Sequence, residues 1–198
     1  MTDSFDLEFC FKGDRNYIHG TDIFNKLTEK FVNNISKIDI SFHSVAINNM
    51  TFFTQKPETD DVKVTFRCQN DGEKIKLFGI ENGTTVDCRY EYPEEDVVKN
   101  STMNISDETI ILDFSTDYSF IEHIVAMNKS LLETLYTDVN GKWYFTRLQL
   151  HQNVHIDTSS SITLQLKSNF QFKLTKSSII VDENEVGFIY FSLVAKES

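Results

Sequence analysis

The chain has 198 residues, of which 40% are hydrophobic, with 17 Phe and 7 Tyr among its aromatic residues. That supply of apolar side chains excludes intrinsic disorder, and only 2 Pro with 7 Gly exclude collagen-like and linker-dominated chains. A net charge of -11, from 19 basic and 30 acidic residues, speaks against a nucleic-acid-binding surface, which needs clustered Lys and Arg.

In chain order, Phe5, Leu7, Phe9 and Phe11 alternate as a half-buried strand does. A turn carrying Asp14 follows. Ile23, Phe24, Leu27 and Phe31 then share one stripe of a helix predicted over about 21–32. Strands are predicted over 37–47, 50–54, 62–68, 74–80 and 85–92. Asn48-Asn49, Asp71-Gly72 and Asn82-Gly83 read as turns. The acidic stretch from Pro93 to about Asp107 reads as a connector. Ile110, Leu112 and Phe114 alternate again, and a turn with Asp117 leads to a helix predicted over about 120–136. Its apolar arc is wider than that of the first helix, which implies deeper burial. Strands over 143–149, 154–157, 162–166, 170–175, 179–181 and 187–194 complete the chain. Turn signals stand at Asn140-Gly141 and Asp182-Glu183-Asn184.

The two halves repeat one order of elements. At an offset of 103, Leu7–Phe11 falls on Ile110–Phe114, Asp14 on Asp117, Tyr17-Ile18 on Phe120-Ile121 and Asn25-Lys26 on Asn128-Lys129. Ile40, Phe42, Val45 and Ile47 fall on Trp143, Phe145, Leu148 and Leu150. Val62, Val64 and Phe66 match Ile162, Leu164 and Leu166 at an offset near 100. The pattern predicts an internal duplication, with units over 1–98 and 99–198.

Strand, helix, then a run of antiparallel strands resembles the hotdog fold, and its duplication resembles the double-hotdog arrangement. The segment Asp14-Arg15-Asn16-Tyr17-Ile18-His19-Gly20-Thr21 is similar in character to the His-Gly lead-in to the central helix of beta-hydroxyacyl-carrier-protein dehydratases, although no Pro-Gly pair follows. The resemblance implies an α+β fold. In it, two tandem hotdog units, each a curved antiparallel sheet around a central helix, form a pseudo-dimer with its site at the seam. It further implies chemistry on acyl thioesters of coenzyme A or acyl carrier protein, of the dehydratase or thioesterase kind. No cofactor or metal is implied, and the resemblance leaves open a homodimer of double-hotdog units. Two alternatives remain. One is a noncatalytic acyl-binding or scaffold protein. The other is a cone-shaped or lipocalin-like ligand binder, which the internal repeat disfavours.

His19 is the candidate general base, and Gly20 would allow close backbone approach and an N–H for a developing oxyanion. Capping roles compete for His19, and Thr21 and Asp22 read as ordinary N-cap residues. Arg15 has Tyr118 as its counterpart and would grip a phosphate or carboxylate, with surface exposure as the alternative. Tyr17 is Phe120 in the second half, so its hydroxyl is not needed for packing. Glu122-His123 replaces the His-Gly pair there and would complete a second site. Asn128, among Met127 and Leu131, would supply a polar group to the acyl site or a structural hydrogen bond shared with Asn25. His43 reads as a strand residue. His151 and His155 are spaced by four on a strand or turn, which is no zinc signature.

Residues 1–6 show no basic region followed by an apolar run, so no secretory leader is expected. No stretch approaches the about 18 apolar residues that span a bilayer, so no membrane association is expected. The cysteines, Cys10, Cys68 and Cys88, are odd in number and lack metal-like spacing. A reduced cytoplasmic protein is expected, with Cys68–Cys88 as a conceivable pair.

Overall fold

The structure, a computed structural model, describes residues 3–31, 35–113, 117–152 and 160–195. It divides into two units, Met1–Pro93 and Glu94–Ser198.

In the first unit, β1 (Ser4–Leu7) and β2 (Phe11–Lys12) precede helix α1 (Gly20–Lys30). Strands β3 (Ile35–Phe42), β4 (Asn48–Phe53), β5 (Val64–Asn70) and β6 (Glu73–Thr85) follow, and then β7 (Arg89–Tyr90). The sheet order is β1-β4-β6-β5-β3, and every neighbouring pair is antiparallel. Ile23, Phe24 and Leu27 of α1 are buried, as are Ile40, Met50, Phe52, Val64, Phe66 and Leu77 on the strands. Phe31, just past α1, stacks on Phe66 at 6.1 Å between ring centroids. Each such side chain, fully buried, contributes about 1.5–3 kcal/mol. Gly79 faces the Phe52 ring so closely that a Cβ would sit 2.6 Å from Phe52 Cε1. The residue must therefore lack a side chain.

The second unit begins with α2 (Glu94–Val98), β8 (Ser101–Asn104) and β9 (Thr109–Leu112). Helix α3 (Phe120–Leu135) follows, then β10 (Lys142–Leu150), β11 (Ile162–Phe170), β12 (Leu174–Val181) and β13 (Asn184–Val194). Its sheet order is β8-β9-β11-β12-β13-β10, again antiparallel throughout. Ile121, Ile124, Val125, Met127, Leu131 and Leu132 of α3 are buried, a wider arc than α1 presents. Ile110, Leu112, Leu148, Ile162, Leu164, Ile179, Ile189 and Phe191 are buried on the strands.

The acidic stretch read as a connector is structured. Glu94 accepts an ion pair from Lys129 of α3 at 2.9 Å, and Val97 is completely buried. Residues 101–104 pair with β9. Asn48-Asn49 opens β4 and is not a turn. Asn49 Oδ1 accepts from Phe9 N at 2.8 Å, and its Nδ2 donates to Thr85 O at 2.9 Å. Asn82-Gly83 lies inside β6, where the pairing with β4 jumps from Met50↔Glu81 to Asn48↔Thr85, so the turn signal became a bulge. The strand expected over 170–175 straddles the β11–β12 turn, with Gln171 and Phe172 at positive φ. Phe172 there packs edge-on against Tyr136 and Trp143. His43 lies just beyond β3 and bonds Thr65 Oγ1 through Nε2 at 3.0 Å. The expected strand over 154–157, and with it His155, lies outside the described residues.

The repeat is matched in part. β1 and β9 hold equivalent places, as do α1 and α3, and β3 and β10. The middle of the sheets differs. In the second unit β11, β12 and β13 follow one another across the sheet, whereas in the first β6 lies between β4 and β5. Val64–Phe66 of β5 therefore does not occupy the place of Ile162–Leu166 of β11, despite the matching apolar pattern.

Candidate functional site

The cysteine expectation is overturned, and the disulfide shapes the site. Cys10 and Cys88 are bonded, with Cα atoms 4.7 Å apart, and Cys68 is free and buried. Cys10 stands just before β2 and Cys88 just before β7, and these two strands run parallel with Phe11 opposite Arg89 and Lys12 opposite Tyr90. Phe11 N donates to Cys88 O at 2.9 Å. A separation of 78 residues hid this neighbourhood from the sequence. Cys68 cannot join because β5 directs it into the core, where burial pushes its thiol up to about 11.

This clipped strand pair organises the approach to α1. Arg89 Nη1 donates to Gly13 O and, at 2.7 Å, to Arg15 O. Ile18 is buried and its N–H donates to Ala46 O at 2.7 Å. The chain thus enters α1 at a fixed angle, with His19 as the extended N-cap residue at φ -77°, ψ 139°. The His19 carbonyl accepts from Asp22 N at 3.0 Å and Ile23 N at 3.3 Å. Gly20 is the first helical residue, so its N–H is among the first-turn donors that have no partner within the helix.

The His19 imidazole is buried, and its Nδ1 is 2.8 Å from Thr21 Oγ1. Thr21 is completely buried and also accepts from Lys12 Nζ at 3.1 Å. Thr21 in turn donates to Asp22 Oδ1 at 3.3 Å. Asp22 Oδ1 lies 3.5 Å from Lys12 Nζ and accepts from Tyr90 OH at 2.8 Å. Lys12, with no solvent exposure, sits 3.8 Å above the Tyr92 ring and 5.8 Å from the Tyr90 ring centroid. A buried ammonium is tolerated only with such compensation, here one carboxylate, one hydroxyl and two aromatic faces. An open cavity of about 240 Å³ adjoins the cluster, with Phe9, Asp22, Asn25 and Tyr90 among its walls.

Arg15 and Tyr17 lie on the loop before His19, both half-buried. Arg15 Nη1 donates to Lys12 O at 3.4 Å, and its guanidinium lies 6.0 Å from the Tyr92 ring centroid. In the second unit, Glu122 has a local task. Its Oε2 accepts from Ser119 N at 2.9 Å and from Ser119 Oγ at 2.8 Å, closing the N-terminus of α3. His123 is buried beside Tyr118, rings edge-on at 6.3 Å. Burial pushes its imidazole below the usual histidine range, against a smaller upward pull from Glu122. Asn128 is completely buried, and neither Oδ1 nor Nδ2 has a hydrogen-bond partner among the described residues. His151 is exposed just beyond β10, its ring 5.4 Å from that of Phe188. Among the described residues, no group of three or more His, Cys, Asp or Glu is arranged to hold a metal ion, and no helix is long and apolar enough to cross a membrane.

The sequence singled out no role for Lys12, and Thr21 and Asp22 read as plain capping residues. The signal that could have found them was asymmetry between the halves. At the 103-residue offset, Lys12, His19, Thr21 and Asp22 fall on Ser115, Glu122, Ile124 and Val125, so the cluster has no counterpart in the second half.

No family model matches the chain, and no curated protein matches it in sequence. Solved structures do match in fold. The tesB protein of Mycobacterium avium subsp. paratuberculosis is 9% identical, with a TM-score of 0.52 over 96% of this chain and 91% of that one. A conserved protein with hot dog fold from Alicyclobacillus acidocaldarius is 8% identical, with a TM-score of 0.51 over 98% and 92%. A protein described as a thioesterase II from Thermobifida fusca is 9% identical, with a TM-score of 0.50 over 100% and 94%. At such identities the likeness establishes architecture alone, and the chain has the hotdog fold.

Proposed function

We propose that the chain is an enzyme acting on acyl thioesters of coenzyme A or acyl carrier protein, with His19 as its base. The observation that carries this reading is the placement of His19. A buried imidazole stands at the N-cap of α1, anchored through Nδ1 to Thr21, beside the first-turn N–H groups of a helix. The reading assigns the chemistry to Nε2, the ring nitrogen that does not face Thr21. In a dehydratase it would take the proton alpha to the thioester carbonyl, and in a thioesterase it would take a proton from water attacking that carbonyl. Either reaction builds negative charge on the carbonyl oxygen, which helix N–H groups such as that of Gly20 stabilise. One of the matched structures carries a thioesterase description, which favours the same chemistry.

Asn128 is the second polar group of the reading. A buried amide with no partner among the described residues carries a free-energy cost that a ligand contact would offset. Arg15 and Tyr17 belong to the substrate-binding surface. Glu122 and His123 are the weaker assignments, because Glu122 is engaged in closing α3. The two units are read as tandem hotdog units forming a pseudo-dimer, and a homodimer of such chains is part of the reading. Cytoplasmic placement goes with these substrates, and the Cys10–Cys88 disulfide is the feature that opposes it.

The test is incubation of the pure protein with beta-hydroxyacyl and saturated acyl thioesters, on coenzyme A and on carrier protein. Enoyl absorbance and free thiol are followed. Turnover on one of these, lost in His19→Ala, supports the reading. Micromolar acyl binding without turnover would replace it with a noncatalytic acyl-binding protein.

A further inference from the structure

We infer that Lys12, Thr21 and Asp22 form a relay that fixes the His19 tautomer, with the proton on Nδ1 and the basic lone pair on Nε2. The inference follows from proton counting at one oxygen. Thr21 Oγ1 meets Lys12 Nζ at 3.1 Å, His19 Nδ1 at 2.8 Å and Asp22 Oδ1 at 3.3 Å. A hydroxyl has one proton to donate and two lone pairs to accept with. An ammonium only donates and a carboxylate only accepts. The Lys12 contact therefore uses one lone pair of Thr21, and the Asp22 contact uses its single proton. Only a lone pair remains toward His19, so Nδ1 must bring the proton. The opposite tautomer would place two lone pairs against each other at 2.8 Å or leave the Asp22 contact without a proton.

The surroundings hold this arrangement in place. Tyr90 OH donates to the same Asp22 oxygen at 2.8 Å, and the aromatic face of Tyr92 at 3.8 Å orients the Lys12 ammonium. Lys12 and Thr21 are completely buried, so water does not compete for these contacts. The disulfide before β2 and β7 holds the strands that carry Lys12 and Tyr90 side by side. The three side chains are positioning residues, since they act through the imidazole. A base needs a lone pair on the nitrogen that meets the substrate, and the relay supplies it on Nε2. This catalytic consequence rests on the acyl-thioester reading of His19, whereas the tautomer does not.

The experiment is long-range 1H–15N NMR on protein labelled at histidine nitrogens, at a pH where His19 is neutral, with His19 assigned by its loss in His19→Ala. The wild type should show a protonated Nδ1 and an unprotonated Nε2. Thr21→Val should move His19 toward the Nε2-protonated form, and Thr21→Ser should restore the wild-type pattern. An Nε2-protonated His19 in the wild type would overturn the inference, whatever the variants do. So would a folded Thr21→Val protein with an unchanged tautomer. The outcome is separable from that of the proposed function. The expected tautomer without turnover leaves the relay standing and removes the enzyme reading. Turnover that depends on His19, with the opposite tautomer, does the reverse.

Discussion

The Lys12 ammonium and the Asp22 carboxylate stand 3.5 Å apart, with Lys12 wholly removed from solvent and the Asp22 side chain 14% exposed, so that water can compensate the carboxylate but not the ammonium. Removing one partner of a buried pair leaves the other charge uncompensated, which costs about 3–5 kcal/mol. Asp22→Ala should therefore destabilise the protein by that amount, read as a lower urea midpoint. Lys12→Met, which removes the charge and keeps the bulk of the side chain, should cost much less. Equal losses in the two variants would contradict the assignment of Lys12 as the residue that needs its partner.

The Cys10–Cys88 bond closes a long loop, and losing such a bond costs about 2–4 kcal/mol through the unfolded chain. Reduction, or the double change Cys10→Ser with Cys88→Ser, should lower the melting temperature accordingly. Cys68 gives an internal control. Its buried thiol, pushed up to about 11, should resist alkylation at pH 8 in the native protein and react once denaturant is added. A thiol that alkylates rapidly in the native, unreduced protein would contradict the disulfide or the burial of Cys68.

Asn128 separates stability from activity. Its side-chain amide is buried without a partner among the described residues, so Asn128→Leu, close in volume, should leave stability unchanged or raise it by about 1–3 kcal/mol. The same change should reduce acyl-thioester turnover if the amide serves the reaction. A marked loss of stability would show instead that the amide is satisfied by structure.

His123 predicts a pH dependence. Its imidazole is held below the usual histidine range, chiefly by burial. Below the unfolded value of about 6.5 the unfolded chain then binds the proton that the folded one refuses, so stability rises with pH in that window. The stabilising contribution is complete above about pH 6.5 and is lost progressively as pH falls toward the folded value. His123→Phe should flatten this part of the profile in denaturant titrations between pH 5 and 7. An unchanged slope would assign the acid sensitivity to other groups.

Periodicity made both long helices legible. Ile23, Phe24 and Leu27 marked α1, and the wider arc from Ile121 to Leu132 marked α3 as the more buried of the two. Most strands followed from alternation, whereas turn signals failed where side chains had longer-range work. Asn49 reads as a turn residue in isolation, yet its amide bridges Phe9 and Thr85, partners 40 and 36 residues away. The acidic stretch hid α2 because its stability comes from the Glu94–Lys129 pair and the burial of Val97, both tertiary contacts. Of the candidate site, His19 and Gly20 stood out as a lead-in to a helix. The relay behind them did not. Lys12 lies on β2, which is paired to β7, and that pairing depends on residues near 88–92 that no local pattern connects to residue 12.

The central claim is that His19 is the base of an acyl-thioester enzyme. Steady-state turnover of beta-hydroxyacyl and saturated acyl thioesters by the wild type and His19→Ala tests it most directly. Loss of a general base should lower kcat by about 10²- to 10⁴-fold with a small change in KM. Equal turnover by the two proteins, or none by the wild type on any of these substrates, would contradict it.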